Sequence, residues 1–279
     1  MMRISLWHGE GHDIQPGSAS TRARQAARLL PALFSTSLLA SFLAQTGHAQ
    51  NLDTASTIET AATALGMTRG VTRRMTSINT VQFTGQGTLN LPGTNGEWTN
   101  FNVSELTVGI SYFIPAIRMD MTRSNADGIQ RTIRVARDDR AWNERLPGVD
   151  PTPAPGQEAS RLRQIWLTPH GVIRAAVDNP DAVTIGSHQG QTTLSVDING
   201  TPVTATLNEN FHPTSVAMDI YHSVLGETRL EATYSEYVDW PILDVYFPSR
   251  IVQRLGNETM LDLTVTDFYQ NPYVIFPTP

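Results

Sequence analysis

The chain has no cysteine and no lysine. Without cysteine there is no thiol nucleophile, no disulfide, no Cys-ligated zinc and no iron–sulfur cluster. Without lysine there is neither a Schiff-base residue nor a phosphate-loop lysine; all 20 basic residues are arginine. Positive charge is scarce as well. The 26 acidic residues exceed the arginines and leave a net charge of −6, which argues against a nucleic-acid groove built from massed cations, so no nucleic-acid partner is expected. Motifs of common hydrolases are missing too. There is no His-x-His or His-Glu-x-x-His metal spacing, no Gly-x-Ser-x-Gly elbow and no glycine-rich phosphate cradle.

What is present is ordinary for a folded protein: 279 residues, 40% hydrophobic and 16% charged, with 20 Gly and 17 Pro. The first fifty residues read as a targeting segment. Arg22, Arg24 and Arg28 precede an uncharged, mostly apolar run from Leu29 to Ala44, and Gly47-His48-Ala49 supplies small residues at −3 and −1 of a cleavage site after Ala49. That run contains a proline and falls short of the ~20 apolar residues of a spanning helix. The expectation is a signal peptide over residues 1–49, then one domain over 50–279, in a periplasm or similar exported space. Lipid attachment to the leader is excluded because it needs a cysteine. Zero cysteine then means that the fold relies on its core in an oxidising compartment.

Beyond the leader, Asp53 to Leu65 is alanine-rich, opens on a capping residue and stops at Gly66, as a short helix does. From Val81 the period becomes two. Val81, Phe83, Leu89 and Leu91 alternate with Gln82, Thr84, Gln86, Thr88 and Asn90, a strand with one wet and one dry face. Gly85 and Gly87 fall on the dry side and remove bulk there, which predicts bending or a close neighbour. Leu106, Val108, Ile110 and Tyr112 repeat the pattern. After Pro115, Ile117, Met119 and Met121 resume it on the opposite parity, which predicts a bulge or a break at the proline. Ile133 and Val135 continue the series. Leu194, Val196 and Ile198 run into Asn199-Gly200, a type I′ hairpin signal, and Val203, Ala205 and Leu207 answer it. Further runs at Val216–Ile220, Leu230–Tyr234, Val245–Ile251 and Leu261–Val265 bring the count to nine to eleven strands. Pro147 to Gly156 holds four prolines and reads as a loop. After it, Leu162, Ile165 and Trp166 lie at helical spacing. Thr168-Pro169 stops one helix and starts another, whose apolar face is Val172, Ile173 and Ala176. The expected fold is mainly β (α+β): a single strongly curved antiparallel sheet or half-barrel, with an N-terminal helix and a mid-chain helical lid.

This element order resembles the periplasmic lipoprotein-carrier fold of the LolA/LolB kind, in which an incomplete barrel wraps an apolar cavity and helices close its mouth. Two local phrases are similar to a region that precedes the metallo-hydrolase domain in some exported proteins of the metallo-β-lactamase fold. One is Ile165-Trp166-Leu167-Thr168-Pro169-His170-Gly171. The other is Tyr234 to Asp239 leading to Phe247-Pro248-Ser249-Arg250-Ile251, then Leu261 to Val265 and Asn271. The hydrolase's own metal motif is absent from this chain, so its chemistry is not carried over, and no local motif transfers the carriers' cavity residues one by one.

Four histidines lie beyond the leader, at 170, 188, 212 and 222, and none has metal-ligand spacing. Asp138-Asp139 and Glu236 with Asp239 are acidic pairs of the kind usually found in solvated turns. No catalytic residue, metal or cofactor is therefore assigned. The residues expected to face inward and contact a ligand are Phe83, Leu89, Leu106, Val108, Ile110, Tyr112, Met119 and Met121 from the sheet, with Leu162, Ile165 and Trp166 from the helices. The alternative for each is plain core. The function expected is binding of a hydrophobic or acylated ligand, lipid or lipoprotein-like. The alternative is a non-catalytic module that partners a separately encoded hydrolase or another periplasmic or membrane protein.

Overall fold

The computed structural model describes residues 53–68, 78–240, 244–274 and 276. The expected leader and its cleavage point lie outside them. Among the described residues thirteen strands form one antiparallel sheet, curved but not closed into a barrel. The first half of the chain supplies β1 (Thr80–Pro92), β2 (Trp98–Ser111), β3 (Ala116–Asn125), β4 (Gly128–Arg137), β5 (Arg140–Glu144) and β6 (Thr152–Pro153). The second half supplies β7 (Val183–His188), β8 (Gln191–Ile198), β9 (Thr201–Leu207), β10 (Pro213–His222), β11 (Gly226–Asp239), β12 (Tyr246–Leu255) and β13 (Glu258–Gln270). The order across the sheet is β6-β5-β4-β3-β2-β1-β13-β12-β11-β10-β9-β8-β7. The chain therefore meanders from the middle to one edge and back from the other edge, and its first and last strands pair at the centre.

The two strand glycines lie where the sheet bends. Register shifts occur between Thr84 and Gly85 against β13, and between Gly85 and Gly87 against β2. Bulges increase local twist and turn a strand. A Cβ on Gly87 would overlap the Asp262 carbonyl oxygen, and one on Gly85 would sit 2.6 Å from the Thr264 carbonyl oxygen. The close neighbour is thus the backbone of β13. Gly87→Ala is expected to cost about 1–3 kcal/mol through forced separation of β1 from β13. Urea unfolding measures it, and an unchanged midpoint overturns this account.

The phase change at Pro115 is a reverse turn. β2 and β3 pair with Ser111 opposite Ala116, and Leu106, Val108 and Ile110 face Met121, Met119 and Ile117. The opposite parity is what folding back requires, and no bulge occurs at the proline itself. Asn199 and Gly200 both adopt positive φ, 53° and 80°, in the tight turn between β8 and β9, and the Asp197 side chain accepts from the Gly200 amide at 2.8 Å. The strand total exceeds the expected nine to eleven because three short pieces carry little alternation. β5 has five residues, and β6 is a two-residue pairing of Thr152 and Pro153 inside the four-proline loop. β7 is an edge strand with no buried residue.

Three α-helices pack on the sheet's concave side. α1 (Thr54–Ala64) and α3 (Pro169–Asp178) lie against each other and cover the β7–β10 half, while α2 (Glu158–Trp166) covers β3–β5. Thr168 caps α3: its hydroxyl accepts from the Gly171 amide at 3.0 Å, and Pro169 occupies the first helical position. Asp53 stands at the N-cap of α1 without a side-chain capping bond. Most of the core lies between these helices and the concave face, and includes Ile58, Leu65, Ile165, Ile173, Val196 and Val216. A second, smaller cluster lies on the other face at β3–β5, where Ala116, Ile133, Val135 and Trp142 pack beneath Phe276 and Val274 of the C-terminal segment. Among the described residues no helix is long and apolar enough to cross a membrane.

Candidate ligand-binding cavity

The helices do not fill the whole concavity. Between the central strands and α2 there is a cavity of about 300 Å³, the space of roughly ten water molecules at ~30 Å³ each. β1 contributes Phe83, Leu89 and Leu91, β2 contributes Leu106 and Val108, and β3 contributes Ile117, Met119 and Met121. The opposite wall is Tyr234, Ile251, Met260, Leu261 and Leu263, from β11, β12 and β13. Alternation delivers these side chains to one face, and the bend at Gly85 and Gly87 brings the two walls toward each other.

Six of the eleven residues expected to contact a ligand lie on this wall: Phe83, Leu89, Leu106, Val108, Met119 and Met121. The other five lie elsewhere. Ile110 is fully buried in the core, and so is Ile165 on α2. Leu162 and Trp166 pack partly buried against the same core. Tyr112 is buried with its hydroxyl 3.3 Å from the Thr168 hydroxyl, and burial raises its pKa. The face that α2 turns to the cavity is polar and comprises Gln157, Ser160, Arg161 and Gln164.

The arginines are the feature that the apolar pattern hid. Arg123 of β3, Arg134 of β4 and Arg161 of α2 all line the cavity, and among the described residues no Asp or Glu does. Cross-strand pairing explains Arg134. It lies opposite Met119, so β4 turns Thr132 and Arg134 inward, while Ile133 and Val135 face outward into the second cluster. Arg161 is anchored by donating to the Val135 and Trp142 carbonyls, at 3.0 and 2.6 Å, and to Asn143 Oδ1 at 2.9 Å. These bonds hold α2 onto β4 and β5. Across the cavity, Gln253 of β12 donates to Gln164 Oε1 at 3.1 Å. Arg123 lies over the Phe101 ring at 4.2 Å and donates to Gln130 Oε1 at 3.3 Å, but its buried Nε has no partner. Desolvation lowers the pKa of all three arginines, and Arg134 lowers those of Arg123 and Arg161 further by repulsion; Glu158 opposes the shift at Arg161.

The histidines are dispersed. His170 is in the core, His212 bonds the Ala64 carbonyl at 3.0 Å, His222 reaches the cavity and His188 is exposed. Among the described residues no three His, Asp or Glu side chains gather as a metal site. Asp138, with φ at 51°, and its neighbour Asp139 occupy the turn between β4 and β5.

No protein-family model and no curated protein matches the chain. Solved structures that match the chain include two crystal structures. The LolA superfamily protein NE2245 from Nitrosomonas europaea matches 79% of this chain and 94% of its own, at 15% identity and a TM-score of 0.43. LprF from Mycobacterium bovis matches 81% of this chain and 96% of its own, at 11% identity and a TM-score of 0.33.

Proposed function

We propose that this protein is an exported carrier that sequesters a hydrophobic or acylated ligand non-covalently between its central strands and α2. The observation that carries this reading is a cavity of about 300 Å³ lined mainly by Leu, Ile, Met and Phe, beside a core that α1 and α3 pack against the other half of the sheet. A void of that size lies at the lower end of small-molecule sites. Apolar burial stabilises by roughly 25 cal/mol per Å², so about 300 Å² of acyl chain gains ~7 kcal/mol, from which ordering and association costs are subtracted. Met119 and Met121 suit varied chain shapes, because the unbranched thioether adapts to its neighbours. Export rests on the leader features of residues 1–49.

Fluorescence titration with N-phenylnaphthylamine, a neutral apolar dye, tests the reading. Saturable one-to-one binding is expected, with competition by dodecanol. Met119→Trp places a ring in the void and is expected to weaken the dye at least tenfold without loss of stability, since the added atoms enter empty space rather than packed core. Absence of saturable binding, or full binding by the Trp variant, removes the carrier reading.

A further inference from the structure

We propose that the cavity selects amphiphiles with an anionic head, a carboxylate or a phosphate, held by Arg134 and Arg123 while the chain lies along β1–β3. This rests on the carrier reading and adds to it the charge of the cargo. The first observation is a contrast in charge. The whole protein is acidic, at −6, yet among the described residues the cavity wall holds three guanidinium groups and no carboxylate. The second is what those guanidinium groups lack. Arg161 is satisfied by two backbone carbonyls and Asn143. Arg134 has no hydrogen bond and no ion pair among the described residues, although it is reached by solvent and lies on the wall. Arg123 is 9% exposed, and its Nε is buried with no acceptor.

An unneutralised cation beside an apolar void is unfavourable: desolvation already lowers the pKa of each arginine, and repulsion from Arg134 adds to it at Arg123 and Arg161. An anion supplies the missing acceptor and offsets both effects, and a planar guanidinium matches the two oxygens of a carboxylate or phosphate. The positions fit a molecule with a head and a tail. Arg134 lies opposite Met119, and Arg123 lies two residues beyond Met121 on β3. A head bound there leaves the tail to run along Met121, Met119 and Val108. Neutral apolar cargo leaves both guanidinium groups as they are.

The test is displacement of N-phenylnaphthylamine by a matched twelve-carbon series: dodecanoate, dodecyl phosphate, dodecanol and dodecyltrimethylammonium. Dodecanoate or dodecyl phosphate is expected to bind at least tenfold tighter than dodecanol, and the ammonium weakest. The preferred anion distinguishes fatty acids from phospholipid-type heads, and either preference supports the proposal. Arg134→Gln is expected to remove most of the anion preference, read as the ratio of dodecanoate or dodecyl phosphate affinity to dodecanol affinity. Equal affinity of dodecanol and both anions, or an undiminished preference in Arg134→Gln, overturns head selection while leaving the carrier reading intact. Failure of the whole series and of the dye to bind overturns the carrier reading itself.

Discussion

Replacing Glu144 with alanine is expected to cost about 3 kcal/mol of folding stability, the lower end of what is lost when one partner of a buried ion pair is removed. The Glu144 carboxylate receives four donors. Arg118 Nε and Nη2 donate at 2.9 and 3.1 Å, Trp142 Nε1 at 2.9 Å and the Gly148 amide at 2.8 Å. Burial opposes ionisation of this carboxyl, but the bonds from Arg118, Gly148 and Trp142 outweigh it and leave the pKa below the usual glutamate value. Its side chain is 1% exposed and that of Arg118 is 14% exposed. Alanine therefore leaves a mostly desolvated guanidinium, a buried indole N–H and a loop amide without their acceptor. Arg118 keeps some water, which is why the lower end of the range applies. The damage should spread, because the same residues support the outer cluster: Arg118 lies 5.5 Å from the Phe276 ring centre, and Trp142 is 1% exposed beside it. Urea unfolding measures the loss. As a control, Asp150→Ala removes the exposed pair with Arg145 and should cost less than about 1 kcal/mol. Equal small losses in both variants would mean that Glu144 is only another solvated acid.

Much of this architecture is legible in the sequence because alternation and turn chemistry are local. Asn199-Gly200 supplies two positive-φ positions and needs no distant partner to make its hairpin. Thr168-Pro169 likewise carries both a cap and a first helical residue. Alternation reveals that a strand has two faces without revealing which is inside. On β1 to β3 the apolar face is the concave one, and six expected wall residues are found there. On β4 the rule inverts. Ile133 and Val135 face outward because Phe276 and Val274, far along the chain, cover them, and that frees Thr132 and Arg134 to face inward. A contact separated by about 140 residues leaves no local trace. Arg134 therefore could not be read from the pattern, whereas Arg123, two residues beyond Met121 on β3, shares the parity of the inward residues. The helices show the same limit. Leu162, Ile165 and Trp166 do form an apolar stripe, but it fastens α2 to the core, and the polar flank of the helix meets the cavity.

The packing of the concavity divides the labour between its two halves. Beneath β7 to β10, α1 and α3 fill the space, with Ala61, Ala62, Val172 and Ala176 fully buried. Small residues on α1 let the helices sit close. Beneath β1 to β4 the covering helix is α2. It is held at one side by Arg161 on the backbone of β4 and β5 and at the other by the single Gln253–Gln164 bond. A partly buried side-chain amide bond contributes only about 1 kcal/mol. The β12 side of α2 is thus fastened by fewer polar bonds than the side on β4 and β5.

Lowering the pH from 7 to 5 is expected to remove about 2 kcal/mol of stability through His170 alone, and His170→Phe should abolish that part of the loss. His170 is completely buried on α3, stacked at 5.8 Å on both Phe247 and Phe268. Its Nε2–H donates to the Leu65 carbonyl at 3.3 Å, near the end of α1, so Nδ1 carries no proton, and this atom has no partner. Burial drives the pKa from 6.5 down to about 4; the Leu65 bond opposes the shift, and the nearby His212 adds to it. The folded pKa therefore lies below the unfolded one. Above pH 6.5 neither state is protonated and stability is flat in this group. Between 6.5 and 4 the unfolded chain takes up a proton that the folded chain refuses, so stability falls with falling pH by about 1.4 kcal/mol per unit. The full effect, about 3 kcal/mol, is reached near pH 4. Phenylalanine preserves the stacking and forfeits one hydrogen bond, about 1 kcal/mol at any pH. The difference between the two unfolding free energies should therefore reverse sign between pH 7 and 5, the variant being the weaker protein at neutrality and the stronger one in acid. Every other ionisable group is common to both proteins, so its contribution largely cancels from the comparison. Parallel pH profiles for the two would mean that the imidazole charges inside the fold, and that the aromatic sandwich around it is open to water.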